Sequence, residues 1–419
     1  MFARVQFSLA LCALLGAPAT WTCAAADEPG WTPLFDGRSL DGWVRRGGAA
    51  TYRVEDGAII GRTAPNTPNT FLCTERDYAD FVLEFEFKVD PRLNSGVQIR
   101  SNSVPGYEHG QVHGYQVELD PSERAWTAGI YDEGRRGWLY DLKDNAVARQ
   151  AFKQNEWNQV RVEARGDSIK TWLNGVPVAD LKDTLTRSGF IGLQVHSTDS
   201  PEPLEVRWRN LRIKDFGDPW SRPPPGAVVL LGPGGDLSAW EHVDKPGGPV
   251  QWTWADGALE VKPGSGSVVT KRAFGDCRLH VEFAVDDNGQ TGQANGNSGV
   301  YLQRRYEVQI LNSSGQEPAD NLCGAIYGVK APDFNMARPA GQWQTYDIEF
   351  HAPRWQQDGK KAENARFTVY HNGTRVQDNV EVPHATGAGQ AEGPGDAPLL
   401  LQDHGNKVRF RNIWIAPLK

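Results

Sequence analysis

The sequence repeats itself once, with an offset of about 200 residues, and this repeat constrains the fold more than any other feature. Asn94-Ser95-Gly96-Val97 returns as Asn297-Ser298-Gly299-Val300, and Leu193-Gln194-Val195-His196 returns as Leu401-Gln402-Asp403-His404. Ten such pairs of blocks occur in one order in the two halves. Because matched blocks in a fixed order indicate duplication, we predict two related domains in tandem.

The break between the two copies is predicted at 217–227, a segment that contains four prolines and no strand pattern. The first domain is then expected at 27–216 and the second at 228–419. A chain of 419 residues is also longer than a single ordinary core requires.

Within each copy the matched blocks are short runs in which apolar and polar residues alternate. Leu83, Phe85 and Phe87 are separated by charged residues, and a period of two is typical of strands with one buried face. Asn174-Gly175 and Asn372-Gly373 lie between apolar runs, where Asn-Gly favours a tight hairpin. The sequence therefore predicts an all-β protein with two antiparallel jelly-roll β-sandwich domains.

The first 26 residues are typical of an export signal. Arg4 gives a positive start, Val5 to Leu15 form an apolar stretch, and Ala24-Ala25-Ala26 resembles a cleavage site. The apolar stretch is shorter than a membrane-spanning helix, and no other segment is long enough, so we expect no transmembrane segment. The predicted location is the periplasm or the extracellular medium.

Five cysteines divide between the signal and the mature chain. Neither Cys12 nor Cys23 follows the small residue that lipid attachment prefers, so a lipoprotein is the less favoured alternative. Cys73, Cys277 and Cys323 remain, an odd number in an oxidising compartment. Whether Cys277 and Cys323 form a disulfide is left open by the sequence.

Charge and motifs exclude several classes of function. The formal net charge is −8, and no cluster of Lys and Arg forms a stripe suited to phosphates, so nucleic acid is not an expected partner. The sequence contains no nucleophile elbow, no phosphate-binding loop, no His-Glu-x-x-His pair and no Cys/His spacing of a zinc site.

Continuing the alternation across the strands predicts a polar face in each copy. The candidate substrate-binding residues are Glu84, Gln116, Tyr131, Gln194 and Arg209 in the first copy, and Glu282, Gln309, Tyr327, Gln402 and Arg411 in the second. A solvated outer face is the ordinary interpretation of such a pattern. A functional face is favoured here because four pairs recur in both copies, namely Glu84/Glu282, Gln194/Gln402, His196/His404 and Arg209/Arg411.

The chemistry of this face suits a carbohydrate partner. Acids, amides, imidazole and guanidinium groups together can donate to and accept from sugar hydroxyls. Tyr131 and Tyr327, or Trp138 in the first copy, can stack on a pyranose ring. A carboxylate such as Glu118 with His196 can also act as acid and base or hold a divalent metal ion. The residues alone do not decide between these roles.

Several motifs resemble one known family. Leu34-Phe35-Asp36-Gly37 and Arg207-Trp208-Arg209-Asn210 in the first copy, with Tyr306-Glu307-Val308-Gln309 and Asp403-His404-Gly405 in the second, are similar to the 3-keto-disaccharide hydrolase family. The resemblance covers nearly the whole mature chain. It implies two concanavalin A-like jelly rolls and an activity on 3-ketoglycosides.

The resemblance also implies a mechanism. A ketone at C3 of a sugar acidifies the hydrogen on C2, so a base can remove that proton and the enolate then expels the C1 substituent. Addition of water completes a net hydrolysis. The candidate bases are Glu118, His196, Glu307 and His404, and either Arg209 and Arg411 or a divalent metal ion stabilises the enolate oxygen.

Two questions stay open at this point. Gln116 and Glu118 exchange the amide and the acid found at Glu307 and Gln309, so the sequence does not decide which domain is active. The alternative to an enzyme is a non-catalytic protein with two glycan-binding jelly rolls, which would gain avidity from its two sites.

Overall fold

Alternating side chains build two β-sandwiches in the computed structural model, which describes residues 30–418. The predicted export signal at 1–26 lies outside the described residues. One short α-helix, Ala146–Arg149, and two single 3₁₀ turns, Glu108–Gly110 and Gly292–Ala294, accompany the strands. Across residues 30–418, none of these helices is long and apolar enough to cross a membrane.

The first sandwich is formed by strands β1 to β15. Their bounds are β1 Thr32–Pro33, β2 Trp43–Gly47, β3 Thr51–Glu55, β4 Ala58–Arg62, β5 Thr70–Thr74, β6 Asp80–Val89, β7 Ser95–Asn102, β8 His113–Leu119, β9 Ile130–Glu133, β10 Gly137–Tyr140, β11 Asn158–Arg165, β12 Ser168–Leu173, β13 Val176–Lys182, β14 Phe190–Val195 and β15 Glu205–Gly217. Sheet I has the order β13-β12-β11-β6-β15-β4-β3, with β1 paired to β15. Sheet II has the order β10-β9-β8-β7-β14-β5-β2.

The second sandwich is formed by strands β16 to β30. Their bounds are β16 Val228–Leu231, β17 Trp240–His242, β18 Thr253–Ala255, β19 Ala258–Glu260, β20 Val268–Phe274, β21 Cys277–Val285, β22 Ser298–Leu302, β23 Tyr306–Ile310, β24 Gln344–His351, β25 Arg354–Trp355, β26 Lys361–Glu363, β27 Ala365–His371, β28 Thr374–Val382, β29 Ala397–Leu401 and β30 Val408–Pro417. Sheet III has the order β18-β19-β30-β21-β24-β27-β28, with β16 paired to β30. Sheet IV has the order β17-β20-β29-β22-β23, and β25 and β26 form a separate ribbon.

Each sandwich has its own apolar core between its two sheets. On β6, the alternating residues Leu83, Phe85 and Phe87 are at most 1% exposed and belong to the first core. On β21, Leu279 and Phe283 are fully buried in the second core. Burying such a side chain contributes about 1.5–3 kcal/mol, so the period of two fixes which face of each strand turns inward. The predicted all-β class with two tandem jelly-roll sandwiches is confirmed.

Both Asn-Gly pairs form the predicted hairpins. Asn174 and Gly175 have φ angles of 49° and 82° between β12 and β13, and Asn372 and Gly373 have φ angles of 50° and 77° between β27 and β28. Two successive residues with positive φ match the twist of the flanking strands, and Asn and Gly adopt this conformation at low cost.

The second of these hairpins also joins the two domains. The amide of Arg187 donates to the carbonyl of Gly373 at 2.7 Å, and the amide of Arg375 donates to the carbonyl of Leu185 at 2.8 Å. Val104, from the loop after β7, packs within the core cluster of the second domain. Backbone hydrogen bonds and a shared apolar contact therefore connect the two copies.

The three cysteines of the described chain are free thiols. Cys73, Cys277 and Cys323 are all buried, so the disulfide left open for Cys277 and Cys323 is not formed. The sulfur of Cys323 lies 3.1 Å from the hydroxyl oxygen of Tyr346. Burial raises the pKa of Cys277 to about 12, which leaves little reactive thiolate at neutral pH.

A buried imidazole on sheet III is held between carboxylates. His280 is 1% exposed, its Nδ1 lies 2.6 Å from Oδ1 of Asp347, and its Nε2 lies 3.7 Å from Oε1 of Glu282. Its ring stacks on Trp414 with centroids 5.5 Å apart. Burial alone disfavours the charged ring, but the charge and hydrogen bond of Asp347, together with the nearby carboxylate of Glu282, raise the pKa of His280 to about 9. The charge of Asp218 also interacts with this imidazole.

We therefore expect the stability of the protein to fall in mildly alkaline solution. A folded-state pKa near 9 exceeds the ordinary value of 6.5, so the stabilisation by His280 is complete below about pH 6.5 and is lost as the pH rises through 9. The loss is on the order of 3 kcal/mol. Melting temperatures of the wild type and of His280→Gln, measured from pH 6 to pH 10, test this.

The variant His384→Gln removes an exposed imidazole and serves as the control. It should follow the wild-type curve, whereas His280→Gln should start lower and change less with pH. An equal alkaline decline in all three proteins would show that His280 is not the group responsible.

Candidate functional site

A row of residues crosses the outer face of sheet II, perpendicular to its strands. Gly192 on β14 is in register with Gln98 on β7, which is in register with Gln116 on β8. Gln116 is in register with Tyr131 on β9, which is in register with Trp138 on β10. Residues in register share a face, and the neighbours that alternate with them along β7, β8 and β14 lie in the core, so this row points away from it.

A second row runs beside the first. Gln194 on β14 is in register with Gly96, which is in register with Glu118 on β8. Nε2 of Gln116 donates to Oε2 of Glu118 at 2.9 Å, and Nδ2 of Asn94 donates to Oε1 of Glu118 at 2.6 Å. Burial raises the pKa of Glu118, and these two hydrogen bonds oppose that rise.

Gln194 is an unusual member of this face. It is fully buried, and neither its amide oxygen nor its amide nitrogen has a hydrogen-bond partner. Leaving such a group unsatisfied costs about 1–3 kcal/mol, which a structural role does not explain. Its counterpart Gln402 in the second domain also has an unpartnered amide oxygen.

His196 lies just beyond the end of β14 and is partly exposed. Its Nδ1 is 2.8 Å from the carbonyl oxygen of Ser197. Nearby Glu133 accepts a hydrogen bond from Nδ2 of Asn69 at 3.0 Å, and burial raises its pKa while this bond and the charge of His196 oppose the rise. The charge of His196 therefore acts on the pKa of Glu133.

Aromatic residues form the far end of sheet II. The rings of Trp126 and Trp138 meet edge to face with centroids 4.7 Å apart, and Tyr131 meets Trp138 at 5.4 Å. The guanidinium group of Arg124 lies 4.8 Å from the Trp126 ring and 5.0 Å from the Trp138 ring. All three rings are partly exposed, and we call them with Arg124 the aromatic platform.

Sheet IV carries the corresponding rows of the second domain. Tyr301 on β22 is in register with Glu307 on β23, and Tyr327 follows, since its amide donates to the carbonyl of Glu307 at 3.2 Å. The second row consists of Gln402, Gly299 and Gln309. Position by position, Glu307 takes the place of Gln116 and Tyr301 takes the place of Gln98.

Glu307 is the most perturbed acid of either face. Its side chain is almost completely buried, and Oε2 accepts a hydrogen bond of 2.7 Å from the hydroxyl of Tyr301. Nε2 of Gln402 in turn donates to that hydroxyl at 3.2 Å. Burial raises the pKa of Glu307 to about 7, although the bond from Tyr301 acts in the opposite direction. The carboxyl group is therefore balanced between its two protonation states at neutral pH.

A cleft of about 370 Å³ opens beside this acid. Its lining comprises Gln293, Asn297, Tyr301, Glu307, Gln309, Tyr327, Gly387, Ala388, Gln402 and His404. Gly387, with a φ angle of 53°, lies over the acid, and a Cβ atom there would come within 2.3 Å of Oε2 of Glu307. Glycine thus allows the loop after β28 to cover Glu307 closely, while His404 stays exposed at the edge.

The repeated Asn-Ser-Gly-Val motif has a direct role in these geometries. A Cβ atom on Gly96 would lie 2.4 Å from Cδ of Gln116, and one on Gly299 would lie 2.2 Å from Oε1 of Glu307. In both domains a side chain from the next strand crosses over the glycine. The motif therefore needs glycine for space on the site face rather than for an unusual backbone conformation.

The structure groups ten of the predicted site residues on two sheets. Sheet II and its edge carry Gln116, Glu118, Tyr131, Gln194 and His196, and sheet IV and its edges carry Glu307, Gln309, Tyr327, Gln402 and His404. Their functional roles stay predictions. The two groups belong to separate faces in separate domains.

Four other predicted residues do not share these faces. Glu84 and Arg209 lie on sheet I, and Glu282 and Arg411 lie on sheet III, so the expectation that they share one polar face with the other candidates of their copy is wrong. Each is engaged in ion pairs on its own sheet: Arg212 binds Glu84 at 2.7 Å, Arg209 binds Glu86 at 2.7 Å and Arg411 binds Glu282 at 2.6 Å.

The reason is that a sandwich has two outer faces, and the alternation is the same on both. The register also shows that the structural counterpart of Glu282 is Glu86, since both pair with the arginine of an Arg-Asn bulge. The predicted equivalence of Glu84 and Glu282 is therefore corrected.

Sequence reasoning missed several residues of the two faces. Tyr301 was not predicted as a site residue, although it stands two positions after Gly299 and so must share its face. Asn94, which binds Glu118, belongs to the repeated motif itself. Trp126 and Glu133 gave no periodic signal, because they lie in a loop and at the end of a short strand.

The described residues do not fit a divalent metal ion as the group that stabilises the enolate. Within residues 30–418, no three side chains of His, Cys, Asp or Glu are grouped as metal ligands. The carboxylate of Glu118 accepts hydrogen bonds from two amide groups, and that of Glu307 accepts one from a phenol, which is not the set of several oxygen ligands that such an ion requires. No step is therefore assigned to a metal.

Comparison with solved structures gives similar proteins for single domains. The chain shares 36% identity with a candidate glycosyl hydrolase from Parabacteroides distasonis, over 46% of this chain and 85% of that one, with a TM-score of 0.44. It shares 18% identity with the carbohydrate-binding module CBM66 from Bacillus subtilis, over 42% of this chain and 96% of that one, with a TM-score of 0.32. No curated protein matches the chain.

The family comparison covers both domains. The model of the 3-keto-alpha-glucoside-1,2-lyase-like domain matches residues 30–214 and again residues 226–416. The two matches agree with the two sandwiches, and the resemblance inferred from the motifs is confirmed. The chain thus belongs to the 3-keto-alpha-glucoside-1,2-lyase-like family and carries two tandem copies of its domain.

Proposed function

We propose that the protein cleaves 3-ketoglycosides by elimination at C1 and that the cleft of the second domain is the active site. The observation that carries this proposal is the placement of Glu307, a buried carboxyl group that reaches the cleft between Tyr301 and Tyr327. Family membership supports the substrate class. On the composition of the first 26 residues, we place the activity outside the cytoplasm.

In the proposed reaction Glu307 removes the proton from C2 of the keto sugar. The electron pair of the C2–H bond forms a C2–C3 double bond, while the carbonyl π electrons move to the oxygen on C3. When this enolate collapses, the ketone is restored, a C1–C2 double bond forms and the C1–O bond breaks with its electrons on the glycosidic oxygen. That oxygen then takes a proton, and addition of water to the enone gives net hydrolysis.

A carboxyl group with a pKa near 7 suits the first step. A carboxylate with a much lower pKa would be too weak a base. A carboxyl group with a much higher pKa would be protonated at neutral pH. The pKa of Glu307, raised to about 7 by burial, lies between these limits. Its closeness to Tyr301 also matters, because the phenol that donates to the carboxylate is released when Glu307 becomes protonated.

Two donors next to Glu307 can stabilise the enolate. The hydroxyl of Tyr301 and Nε2 of Gln402 are already joined by a hydrogen bond of 3.2 Å, so their positions are fixed before substrate binds. Donors that are preorganised in a site shielded from water stabilise a developing oxyanion strongly. We assign them to the oxygen on C3.

His404 is assigned to the leaving group. It lines the cleft and is exposed to solvent, where the departing alcohol can leave. An imidazole within reach of the glycosidic oxygen can donate a proton to it as a general acid.

We expect Glu307→Gln to lower kcat/KM by about 10²- to 10⁴-fold, the usual contribution of a general base. The substrate is a 4-nitrophenyl 3-keto-α-glucoside, and release of nitrophenol is followed by absorbance. Glu317→Gln removes an exposed acid from the same domain and should leave the rate unchanged. Exchange of the C2 hydrogen in D₂O should be lost with Glu307→Gln, and full activity of that variant would refute the assignment.

The pH profile gives an independent prediction. Glu307 acts only as the carboxylate, so kcat/KM should rise as the pH increases through about 7. Tyr301→Phe removes a hydrogen bond that favours the carboxylate, and the midpoint should move upward by about one pH unit. The pH dependence of kcat/KM for both proteins is measured over pH 5 to pH 9.

Tyr327→Phe serves as the comparison for this profile, since the hydroxyl of Tyr327 is not bonded to Glu307 in the described structure. Its midpoint should match that of the wild type. A midpoint that stays in place in Tyr301→Phe would mean that another group controls the rate.

A further inference from the structure

We propose that the face of sheet II in the first domain is a second carbohydrate site, which binds a neutral gluco-oligosaccharide without cleaving it. Its aromatic platform receives a pyranose ring, and its amides receive the hydroxyls of that ring. The inference rests on the proposed function in one respect, because catalysis is assigned to the other domain. The first copy of the fold then binds carbohydrate, and the second copy carries out the chemistry.

The first domain has an amide at the position where the second domain has the proposed base. At the position of Glu307 the first domain has Gln116, and at the position of Tyr301 it has Gln98. Nε2 of Gln98 donates to Oε1 of Gln116 at 2.7 Å. An amide is not a base at neutral pH, so the row that carries the proposed chemistry in the second domain is neutral in the first.

The acid of the first domain is placed for recognition. Both oxygens of Glu118 accept amide hydrogen bonds, from Asn94 at 2.6 Å and Gln116 at 2.9 Å, and Arg124 lies 3.5 Å from Oε1. The chain of Asn94, Glu118, Gln116 and Gln98 is fixed along its whole length. Such a chain presents alternating donors and acceptors in defined positions, as recognition of a polyol requires.

The aromatic platform is specific to the first domain. Trp138 lies on β10, which extends sheet II beyond β9, whereas sheet IV ends at β23. Trp126 and Trp138 are partly exposed, and Arg124, with 41% of its side chain exposed, can bind a hydroxyl at the edge of a stacked ring. Aromatic faces beside polar groups are typical of sites for flat, amphipathic ligands.

Gln194 provides an independent indication of a ligand. Its position opposite Gly96 and its alternation with core residues Leu193 and Val195 direct its side chain toward the same face. Both amide atoms are buried without a partner. A bound hydroxyl, directly or through water, would satisfy them.

The covering of the two faces also differs. In the second domain the loop with Gly387 approaches Glu307 closely and leaves a cleft of about 370 Å³, which suits one or two sugar residues. In the first domain the platform lies on β9, β10 and the loop before them, at the edge of the sheet. The family is named for 3-keto-alpha-glucosides, so we assign an oligosaccharide of α-linked glucose to the first domain as the related ligand without the ketone.

The test is affinity electrophoresis of the full-length protein in gels that contain dextran, with maltohexaose as a soluble competitor. We expect dextran to retard the wild type, and Trp138→Ala and Arg124→Ala to weaken the retardation at least about tenfold. Trp157→Ala removes a partly exposed tryptophan that stacks with Arg209 on sheet I, and it should bind like the wild type. Melting temperatures show whether each variant folds.

Gln194→Met separates binding from packing. If Gln194 only fills space, replacing an unpartnered buried amide by a thioether of similar size should raise the melting temperature and leave binding intact. If it meets the ligand, binding should weaken while the protein stays folded. Loss of binding in Trp138→Ala and in Gln194→Met is the expected result.

The inference would be overturned if dextran did not retard the wild type, or if Trp138→Ala and Gln194→Met were both retarded as strongly as the wild type. Turnover of the 3-keto substrate by Glu307→Gln is a separate readout. Binding that depends on Trp138 together with full activity of Glu307→Gln would remove the proposed function and leave the carbohydrate site. Loss of activity in Glu307→Gln, together with binding that does not depend on Trp138, would keep the proposed function and remove the carbohydrate site.

Discussion

The two site faces depend on a close approach between neighbouring strands. Gly96 and Gly299 carry no Cβ atom, and in that space lie Gln116 and Glu307 from the adjacent strand. Any larger residue would collide with the crossing side chain. Because the acid and the amides are held flat against the sheet in this way, they are buried and hydrogen-bonded although they lie on the outer side of a sandwich. The raised pKa of Glu307 follows from the same burial.

Much of the fold could be predicted from the sequence, because the period of two and the repeat are properties of the chain itself. The Asn-Gly hairpins and the inward faces of β6 and β21 are of this kind. The site could be predicted only in part. Alternation states that Glu84 and Glu118 both point away from the core, but it does not state that they lie on opposite sheets, since this depends on strand order. Strand order arises from long-range pairing, which a local pattern does not contain.

Residues recur in both copies for two different reasons, which the sequence alone does not distinguish. Arg209 and Arg411 recur because each closes an ion pair at a bulge on the outer face of the larger sheet. Gln194 and Gln402 recur on the site faces and keep unpartnered amide atoms. The first pair is explained by packing and charge alone, whereas the second has an energetic cost that only a ligand or water offsets. Hydrogen-bond satisfaction distinguishes them, and it requires coordinates.

The joint between the domains has a consequence for how this chain can have evolved. Hairpin Asn372-Gly373 is bonded to the backbone of the first domain, and Val104 is packed in the core of the second. Either copy alone would expose an unpaired segment of backbone or lose part of its interior. After duplication, the halves have therefore ceased to be exchangeable modules. The site residues of each domain can still change independently. Because each domain needs the other for its packing, recombination that separates them is expected to be selected against.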